Sequence, residues 1–292
     1  MPTVSRSLMA IGPNGFHRLA YKEWGDPDNA NVLICVHGLT RNSRDFDFIA
    51  KVLAEEYRVI CPDVVGRGDS DWLHDAALYN YIQYCSDLTA LIARTGAKQV
   101  DWLGTSMGGL IGMLLAAKKG APIRRLILND IGPFVPRAGL RRLGEYVGRD
   151  PRFPKTAEAE AYFRRVMEPF GFLTEAQWRH VVKHGTEPDG EGSLRLRYDP
   201  AIGAPFRNGL SDVDLWAFWD AVQCPVMVLR GADSDLLLPE TARDMLGRGP
   251  KTEIFQVPGV GHAPALMADD QIATIAEWLR RTKPAPAKRN GQ

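Results

Sequence analysis

A serine lies between two glycines in the segment Gly104-Thr105-Ser106-Met107-Gly108, and this segment restricts the fold of the chain more than any other. Residues 99–103 (QVDWL) before it are typical of a short buried strand, whereas residues 109–117 predict a helix. A serine at a sharp turn from strand to helix takes strained backbone angles, and its crowded flanks accept only small residues. Such a turn exposes the serine hydroxyl as a candidate nucleophile.

Apolar runs alternate along the chain with stretches of helical periodicity. The apolar runs are residues 32–36, 58–61, 100–103, 124–128, 225–229 and 253–257, and the helical stretches are 44–55, 81–95, 106–119, 239–246 and 269–281. Before them, two short runs flank the turn Gly12-Pro13-Asn14-Gly15, which predicts a hairpin at one sheet edge. We therefore expect an α/β fold with a mostly parallel eight-stranded sheet and helices on both faces.

Residues 133–212 follow a different pattern, with no convincing buried strand and with aromatic and arginine residues at helical spacing. Thr174 and Gln177 stand three residues apart, as in a reciprocal cap at the start of a helix. We predict that 133–212 is a helical lid inserted after the sixth strand, over the carboxyl ends of the strands where ligands bind. The core is then 1–132 and 213–282, and residues 283–292 are a disordered tail.

The composition excludes several classes of protein. With 45% hydrophobic and 24% charged residues and a net charge of +1, the 292-residue chain suits neither a disordered protein nor one that binds nucleic acid. It has no apolar run of membrane-spanning length, and its first residues do not resemble a signal peptide. No C-x-x-C pair occurs, so we expect a cytoplasmic protein with four reduced cysteines, Cys35, Cys61, Cys85 and Cys224.

A serine hydroxyl is a weak nucleophile and needs a base within hydrogen-bond reach. Of the six histidines, His262 is the predicted base, because it follows the last predicted strand in a glycine-rich loop and a histidine after the serine and the acid suits a strand-turn-helix nucleophile. His180 and His184 lie four residues apart on a predicted helix, but they lack the glutamate of a zincin motif and an evident third ligand. We therefore expect no metal and no cofactor.

The negative charge that develops on an attacked carbonyl oxygen requires two preorganised donors. The backbone N–H of Met107, directly after the serine, is the first predicted donor of this oxyanion hole. The second is the N–H of Leu39, because Gly38 lets the backbone turn after the strand at 32–36. His37 at the same turn is interpreted as a structural residue that hydrogen bonds the turn.

These separate motifs together resemble the α/β-hydrolase superfamily over about residues 20–279. One more segment, Asp63-Val64-Val65-Gly66-Arg67-Gly68-Asp69-Ser70, looks like the D-x-x-G-x-G-x-S loop that follows the fourth strand in that family and has a mainly structural role there. Within the superfamily the chain is most similar to small lidded bacterial serine esterases, and more loosely to hydrolases of 3-hydroxybutyrate oligomers or of enol-lactones.

The resemblance also implies an acidic residue after the strand at 225–229, in a loop that contains Asp233 and Asp235. Asp235 stands four residues before Pro239, a spacing common in the enzymes that this chain resembles, and is the predicted partner of His262. Asp233 remains the alternative, with a turn-capping role as its other interpretation.

The expected function is hydrolysis of a carboxylic ester, small or hydroxyacyl, through an acyl-enzyme, with Ser106, His262 and Asp235 as the catalytic residues. Two other enzymatic functions stay open: hydrolysis of a C–C bond in a ring-cleavage dienoate, whose enzymes share the pattern of residues 104–109, and hydrolysis of lactones. A receptor that uses the same fold to bind a small molecule is the non-enzymatic alternative.

Overall fold

An eight-stranded sheet forms the centre of the computed structural model, which describes residues 3–207 and 209–282. The strands are β1 (Val4–Gly12), β2 (Gly15–Trp24), β3 (Val32–Val36), β4 (Arg58–Pro62), β5 (Val100–Thr105), β6 (Ile123–Asn129), β7 (Phe134–Val135), β8 (Arg152–Phe153), β9 (Thr186–Pro188), β10 (Leu194–Leu196), β11 (Val213–Asp214), β12 (Val226–Gly231) and β13 (Thr252–Val257). The large sheet has the order β1-β2-β4-β3-β5-β6-β12-β13. The hairpin β1–β2 and its pairing with β4 are antiparallel, and the other five pairings are parallel, so the predicted sheet is confirmed.

Helices cover both faces of this sheet. They are α1 (Asp47–Leu53), α2 (Tyr81–Thr95), α3 (Met107–Ala116), α4 (Arg137–Gly144), α5 (Thr156–Val166), α6 (Glu175–Gly185), α7 (Trp216–Ala221), α8 (Pro239–Gly247) and α9 (Asp269–Arg281). Side chains of β3 alternate between the two faces: Val32, Ile34 and Val36 join the cluster under α2, α3 and α8, whereas Leu33 and Cys35 join the cluster under α1 and α9. All five are fully buried, as expected for a parallel strand covered on both sides.

Polar residues define the ends of the helices. The Asn80 side chain accepts a hydrogen bond from the Gln83 N–H at 3.0 Å to begin α2, and Gly96 ends this helix at a φ of 73°, a left-handed conformation that glycine adopts without strain. The predicted reciprocal cap at the start of α6 is present: the Thr174 side chain bonds the Gln177 N–H, and the Gln177 side chain bonds the Thr174 N–H. The sequence therefore fixes these helix starts locally.

The chain between β6 and β12 leaves the large sheet, and we call residues 133–212 the inserted segment. It contains α4, α5 and α6, which agrees with its helical pattern, but also the small sheet β8-β10-β9, which the sequence pattern did not predict. These strands have only two or three residues each, too few for a visible alternation of side chains. The tail predicted at residues 283–292 lies outside the described residues.

Within residues 3–207 and 209–282, none of the helices combines the length and the apolar character needed to cross a membrane.

Candidate active site

Ser106 lies at the turn between β5 and α3, with a φ of 51° and a ψ of −113°. Such a left-handed φ is uncommon for a residue with a side chain and is found mostly at functional sites. A Cβ atom at Gly104 would lie 2.3 Å from the Gly108 carbonyl carbon, and one at Gly108 would lie 2.0 Å from the Val36 carbonyl oxygen. The two glycines are therefore required by the close approach of the backbone, as predicted.

His262 reaches the serine from the loop that follows β13. Its Nε2 atom lies 2.8 Å from the Ser106 Oγ atom, and the ring is buried. Asn129 fixes the loops of both residues, because its side-chain amide donates to Thr105 Oγ1 at 3.0 Å and to the Pro264 carbonyl at 2.8 Å. The structure thus brings together the predicted nucleophile and the predicted base.

The acid beside the histidine is Asp130, one residue beyond the end of β6. Its Oδ2 atom lies 2.7 Å from His262 Nδ1, and the aspartate is 0% exposed. Oδ1 accepts a hydrogen bond from the Gly231 N–H at 2.8 Å, and Oδ2 accepts one from the Ser234 hydroxyl at 2.6 Å. A buried carboxylate with donors on both oxygens is held in one orientation, with its charge directed at the imidazole.

The prediction that Asp235 contacts His262 is wrong. Asp235 pairs instead with Arg142 of α4, with 2.5 Å between Oδ2 and Nε, and its side chain is 43% exposed. Partial burial raises the pKa of the Asp235 carboxyl, but the hydrogen bonds and charge of Arg142 outweigh this and hold that pKa below its usual value. Among the described residues, neither Asp235 nor the alternative Asp233 hydrogen bonds to His262.

Sheet order explains the difference between the two acidic positions. β6 lies between β5, which carries Ser106, and β12, so Asp130 follows a strand directly beside the nucleophile strand. The loop after β12 supplies Ser234 to Asp130 but directs Asp235 toward the inserted segment. A sequence signal for this was present: Asn129-Asp130 is a polar pair directly after the strand predicted over 124–128, whose last three residues are apolar, at the carboxyl edge of the sheet.

Leu39 and Gly38 line the cavity that contains Ser106 and His262. Within the described residues, the N–H groups of Leu39 and Met107 make no hydrogen bond with the protein, which leaves two donors available near the serine. A Cβ atom at Gly38 would lie 3.8 Å from the Ser106 Cβ atom, so the two turns are in close proximity. An oxyanion hole needs two backbone donors of this kind.

Arg67 connects the two turns and is a residue that the sequence reasoning missed. Its Nε atom donates to the Leu39 carbonyl at 2.9 Å, and its Nη2 atom lies 3.6 Å from the Met107 sulfur. Nη1 donates to the Val65 carbonyl at 2.8 Å and to the Tyr84 hydroxyl at 3.0 Å. The residue is 0% exposed, so a buried guanidinium holds the Leu39 backbone and contacts the Met107 side chain.

His37 and Asp63 have structural roles. His37 Nδ1 lies 2.7 Å from the Gly38 carbonyl, and Nε2 accepts a hydrogen bond from the Val64 N–H at 2.9 Å. Burial lowers the pKa of this histidine to about 3, so the ring is neutral and holds the turn. Asp63 accepts hydrogen bonds from the Ser43 N–H at 2.7 Å and the Asp69 N–H at 2.9 Å, which joins its loop to the segment after β3.

The inserted segment covers the cavity. Leu143, Tyr146, Met167 and Phe170 of this segment line the same cavity as Ser106 and His262. The free space is about 40 Å³, and since one water needs roughly 10–15 Å³ by this measure, the cavity holds only a few water molecules. Side chains of the inserted segment thus contribute to the limited space beside Ser106.

Asp47, His180 and His184 place three possible ligand atoms within 4.8 Å of one another, although the sequence suggested no third ligand. Arg44 already binds this cluster: its Nε atom lies 2.8 Å from Asp47 Oδ2, and its carbonyl is 2.9 Å from His180 Nε2. Burial and the nearby Arg44 charge lower the pKa of His184 to about 3. The Arg44 guanidinium thus already pairs with the carboxylate of this cluster, and we assign no metal to it.

Residues 33–275 match the Alpha/beta hydrolase family. The chain belongs to this family. It is 46% identical over 281 residues to the 3-hydroxybutyrate-oligomer hydrolase of Cupriavidus necator, a match that covers 93% of this chain and 96% of the relative.

Solved structures of bacterial hydrolases share this fold over almost the whole chain. A putative hydrolase from Rickettsia typhi superimposes with a TM-score of 0.90 at 35% identity, over 97% of this chain and 100% of the other. An α/β hydrolase from Novosphingobium aromaticivorans does so with a TM-score of 0.85 at 36% identity, over 96% and 99% of the two chains. The expected superfamily is therefore confirmed.

Proposed function

We propose that this chain is a serine hydrolase that cleaves carboxylic esters through an acyl-enzyme, with Ser106, His262 and Asp130 as its catalytic triad. The observation that carries the proposal is the line of hydrogen bonds from the serine to the acid: 2.8 Å between Ser106 Oγ and His262 Nε2, and 2.7 Å between His262 Nδ1 and Asp130 Oδ2. These distances suit direct proton transfer from the hydroxyl to the imidazole.

In the first half of the reaction, Ser106 Oγ attacks the ester carbonyl carbon while His262 Nε2 takes the hydroxyl proton. Asp130 orients the ring through Nδ1 and stabilises the imidazolium that forms. The imidazolium then protonates the departing alkoxide, which leaves as the alcohol. In the second half, His262 activates a water that attacks the acyl-serine and releases the acid.

The N–H groups of Leu39 and Met107 are the proposed oxyanion hole. Both are free of protein partners among the described residues, and both belong to residues that Arg67 contacts. Donors that are fixed before the reaction stabilise the developing charge without reorganising during it. Removing one such donor typically lowers kcat by about 10²- to 10³-fold.

We propose hydroxyacyl esters as the substrate class, since the similar protein of Cupriavidus necator is named for the hydrolysis of 3-hydroxybutyrate oligomers. The inserted segment is the proposed lid, because its side chains line a cavity that leaves room for only a few waters. Such a lid would exclude bulk water from the acyl-enzyme and set the shape of the acyl pocket. The four free cysteines support the cytoplasm as the proposed compartment.

Covalent capture of the nucleophile tests this function. The protein is treated with a fluorophosphonate and digested, and the modified peptide is identified by mass spectrometry, alongside turnover of p-nitrophenyl butyrate, a lactone and a dienoate. We expect label on Ser106 and turnover of the ester. Ser106→Ala should lose the label and about 10⁴- to 10⁶-fold of kcat.

A folded Ser106→Ala variant that keeps a tenth of the wild-type ester turnover would contradict the proposal. Turnover of the dienoate alone would replace ester hydrolysis with C–C bond hydrolysis. Circular dichroism of both proteins is the control for folding.

A further inference from the structure

Arg41 lies next to the nucleophile, in the segment that follows the Gly38–Leu39 turn. A Cβ atom built at Gly38 would be 3.8 Å from the Ser106 Cβ and 3.9 Å from the Arg41 Cγ, so both side chains flank the same point. The Arg41 N–H donates to the Gly38 carbonyl at 3.1 Å, which ties the arginine to this turn. Its position is thus set by the same backbone that carries the Leu39 N–H.

The guanidinium of Arg41 is only partly used by the protein. Nε lies 2.9 Å from Asp45 Oδ2 and Nη2 lies 2.6 Å from Asp45 Oδ1, so one edge of the group is paired. Within the described residues, Nη1 donates no hydrogen bond, although Arg41 is only 7% exposed. A buried arginine with unused N–H groups is costly unless a ligand or water accepts from them.

Arg41 borders two neighbouring cavities. Arg41 lines the cavity of Ser106 and also a second cavity of about 20 Å³, and Thr40, Tyr146, Met167 and Phe170 are common to both. The Phe163 ring lies 5.5 Å from the guanidinium carbon and helps to hold the group in place. Asp45 already pairs with Arg41, and the other residues common to the two cavities are mostly apolar, so what Arg41 can offer an anion is the guanidinium edge that Asp45 leaves unpaired.

Two arginines of the inserted segment do not offer the same position. Arg142 is paired with Asp235, and Arg149 Nε donates to the Glu145 carbonyl at 3.2 Å. Neither lines the cavity that contains Ser106. Arg41 is therefore the cationic group beside the nucleophile in the described part of the cavity wall.

We propose that Arg41 binds a free carboxylate of the substrate through Nη1, so that the enzyme selects esters that end in a carboxylate over neutral esters of the same length. This inference rests on the proposed function. In a linear oligomer of a hydroxy acid, the free carboxylate lies on the alcohol side of each ester bond, so it departs with the leaving group. An arginine fixed near the serine would hold that end of the chain and set which ester bond reaches the nucleophile.

The test compares the dimer and trimer of 3-hydroxybutyrate, each as the free acid and as its methyl ester, in wild-type and Arg41→Gln protein. For at least one chain length, we expect wild-type kcat/KM to be about tenfold to a hundredfold higher for the free acid than for the methyl ester. This is the range that one charge-assisted hydrogen bond contributes. Arg41→Gln should bring this ratio close to one. A ratio within one protein cancels any general loss of active enzyme.

Two further variants keep the inference testable if Arg41→Gln fails to fold. Asp45→Asn leaves Arg41 charged and removes its partner, so we expect an equal or larger preference for the free acid. Arg142→Gln breaks the other arginine–aspartate pair and is the matched control, for which the wild-type ratio is expected.

A wild-type ratio near one would overturn the inference, and so would a wild-type preference that survives in Arg41→Gln or is lost in Asp45→Asn. Turnover of neutral p-nitrophenyl butyrate is measured in parallel with wild-type protein. Absence of that turnover, and of turnover of all oligomers, would refute the proposed function itself and not only the role of Arg41.

Discussion

Two aspartates lie at the same edge of the sheet, after neighbouring strands, in different surroundings. Asp130 follows β6, is 0% exposed and contacts His262 at 2.7 Å. Asp235 follows β12, is 43% exposed and contacts Arg142 of the inserted segment at 2.5 Å. Both come between Ser106 and His262 in the chain, so the order of catalytic residues does not distinguish them. The two aspartates differ instead in their burial and in the number of hydrogen-bond donors that hold the carboxylate.

The two aspartates contact different parts of the molecule: Asp130 contacts the histidine beside Ser106, and Asp235 contacts the inserted segment. Ser234 links Asp130 to the loop that carries Asp235. Its hydroxyl donates to Asp130 and accepts from the Leu237 N–H at 3.0 Å. The loop after β12 thus hydrogen bonds Asp130, although Asp130 itself follows β6. Asp235 is left to join the core to α4 through an ion pair that solvent reaches. We expect substitutions of buried groups around Asp130 to affect catalysis and substitutions of the exposed pair to affect it little.

The largest effect among these supporting groups is expected at Arg67. Arg67→Met removes the hydrogen bond to the Leu39 carbonyl and the contact with Met107, so both proposed oxyanion donors lose a support. We predict a fall in kcat of about 10- to 100-fold with little change in KM for p-nitrophenyl butyrate, since the donors act in the transition state. Steady-state kinetics at one pH measures kcat and KM separately.

Arg67→Lys is the matched variant and should recover part of the lost kcat, because an ammonium can still donate to one carbonyl. A change in KM alone for Arg67→Met would assign this arginine to substrate binding or to stability instead. Thermal unfolding of both variants provides the control for folding.

A smaller effect is expected at Ser234. Besides His262, Asp130 has two donors; Ser234→Ala removes one of them but leaves the Gly231 N–H in place at 2.8 Å. We predict a loss of up to about tenfold in kcat and of about 1–3 kcal/mol in the free energy of unfolding, because Asp130 loses a donor and the buried Leu237 N–H loses its acceptor. Urea unfolding and ester kinetics of the same preparation check both values. Unchanged stability together with unchanged kcat would show that Ser234 does not support the acid.

The smallest effect is expected at the exposed pair. Arg142→Gln should lower kcat/KM for p-nitrophenyl butyrate less than about threefold and stability by less than about 1 kcal/mol, as for other exposed ion pairs. Because Arg142 lowers the folded-state pKa of Asp235, this stabilisation is complete above the unfolded pKa of about 3.9 and is lost as pH falls through the folded value.

Urea unfolding of wild type and Arg142→Gln at pH 7 and near pH 2 checks the sign. The difference between the two proteins should shrink at the lower pH. A difference that grows on acidification would contradict the direction of the Asp235 shift.

The sequence predicted those features that depend on local pattern. Helix α2, predicted over 81–95, and the nucleophile turn with its two glycines follow from periodic and steric signals within a few residues. Asp130 required knowledge of strand order, because only the adjacency of β5 and β6 brings it to Ser106. Arg67 and Arg41 were missed for a similar reason, since their partners lie in turns that only the fold brings together.

The most direct measurement compares Asp130→Asn and Asp235→Asn on the same ester at the same pH. If Asp130 orients His262, Asp130→Asn lowers kcat by about 10⁴-fold, because an amide no longer fixes the imidazole in the required tautomer. Asp235→Asn should remain within about threefold of wild type. Both proteins are expected to fold, as judged by circular dichroism. Loss of activity in Asp235→Asn, with activity retained in Asp130→Asn, would contradict this prediction. Asp235, in the loop after β12, would then be the acid that orients His262.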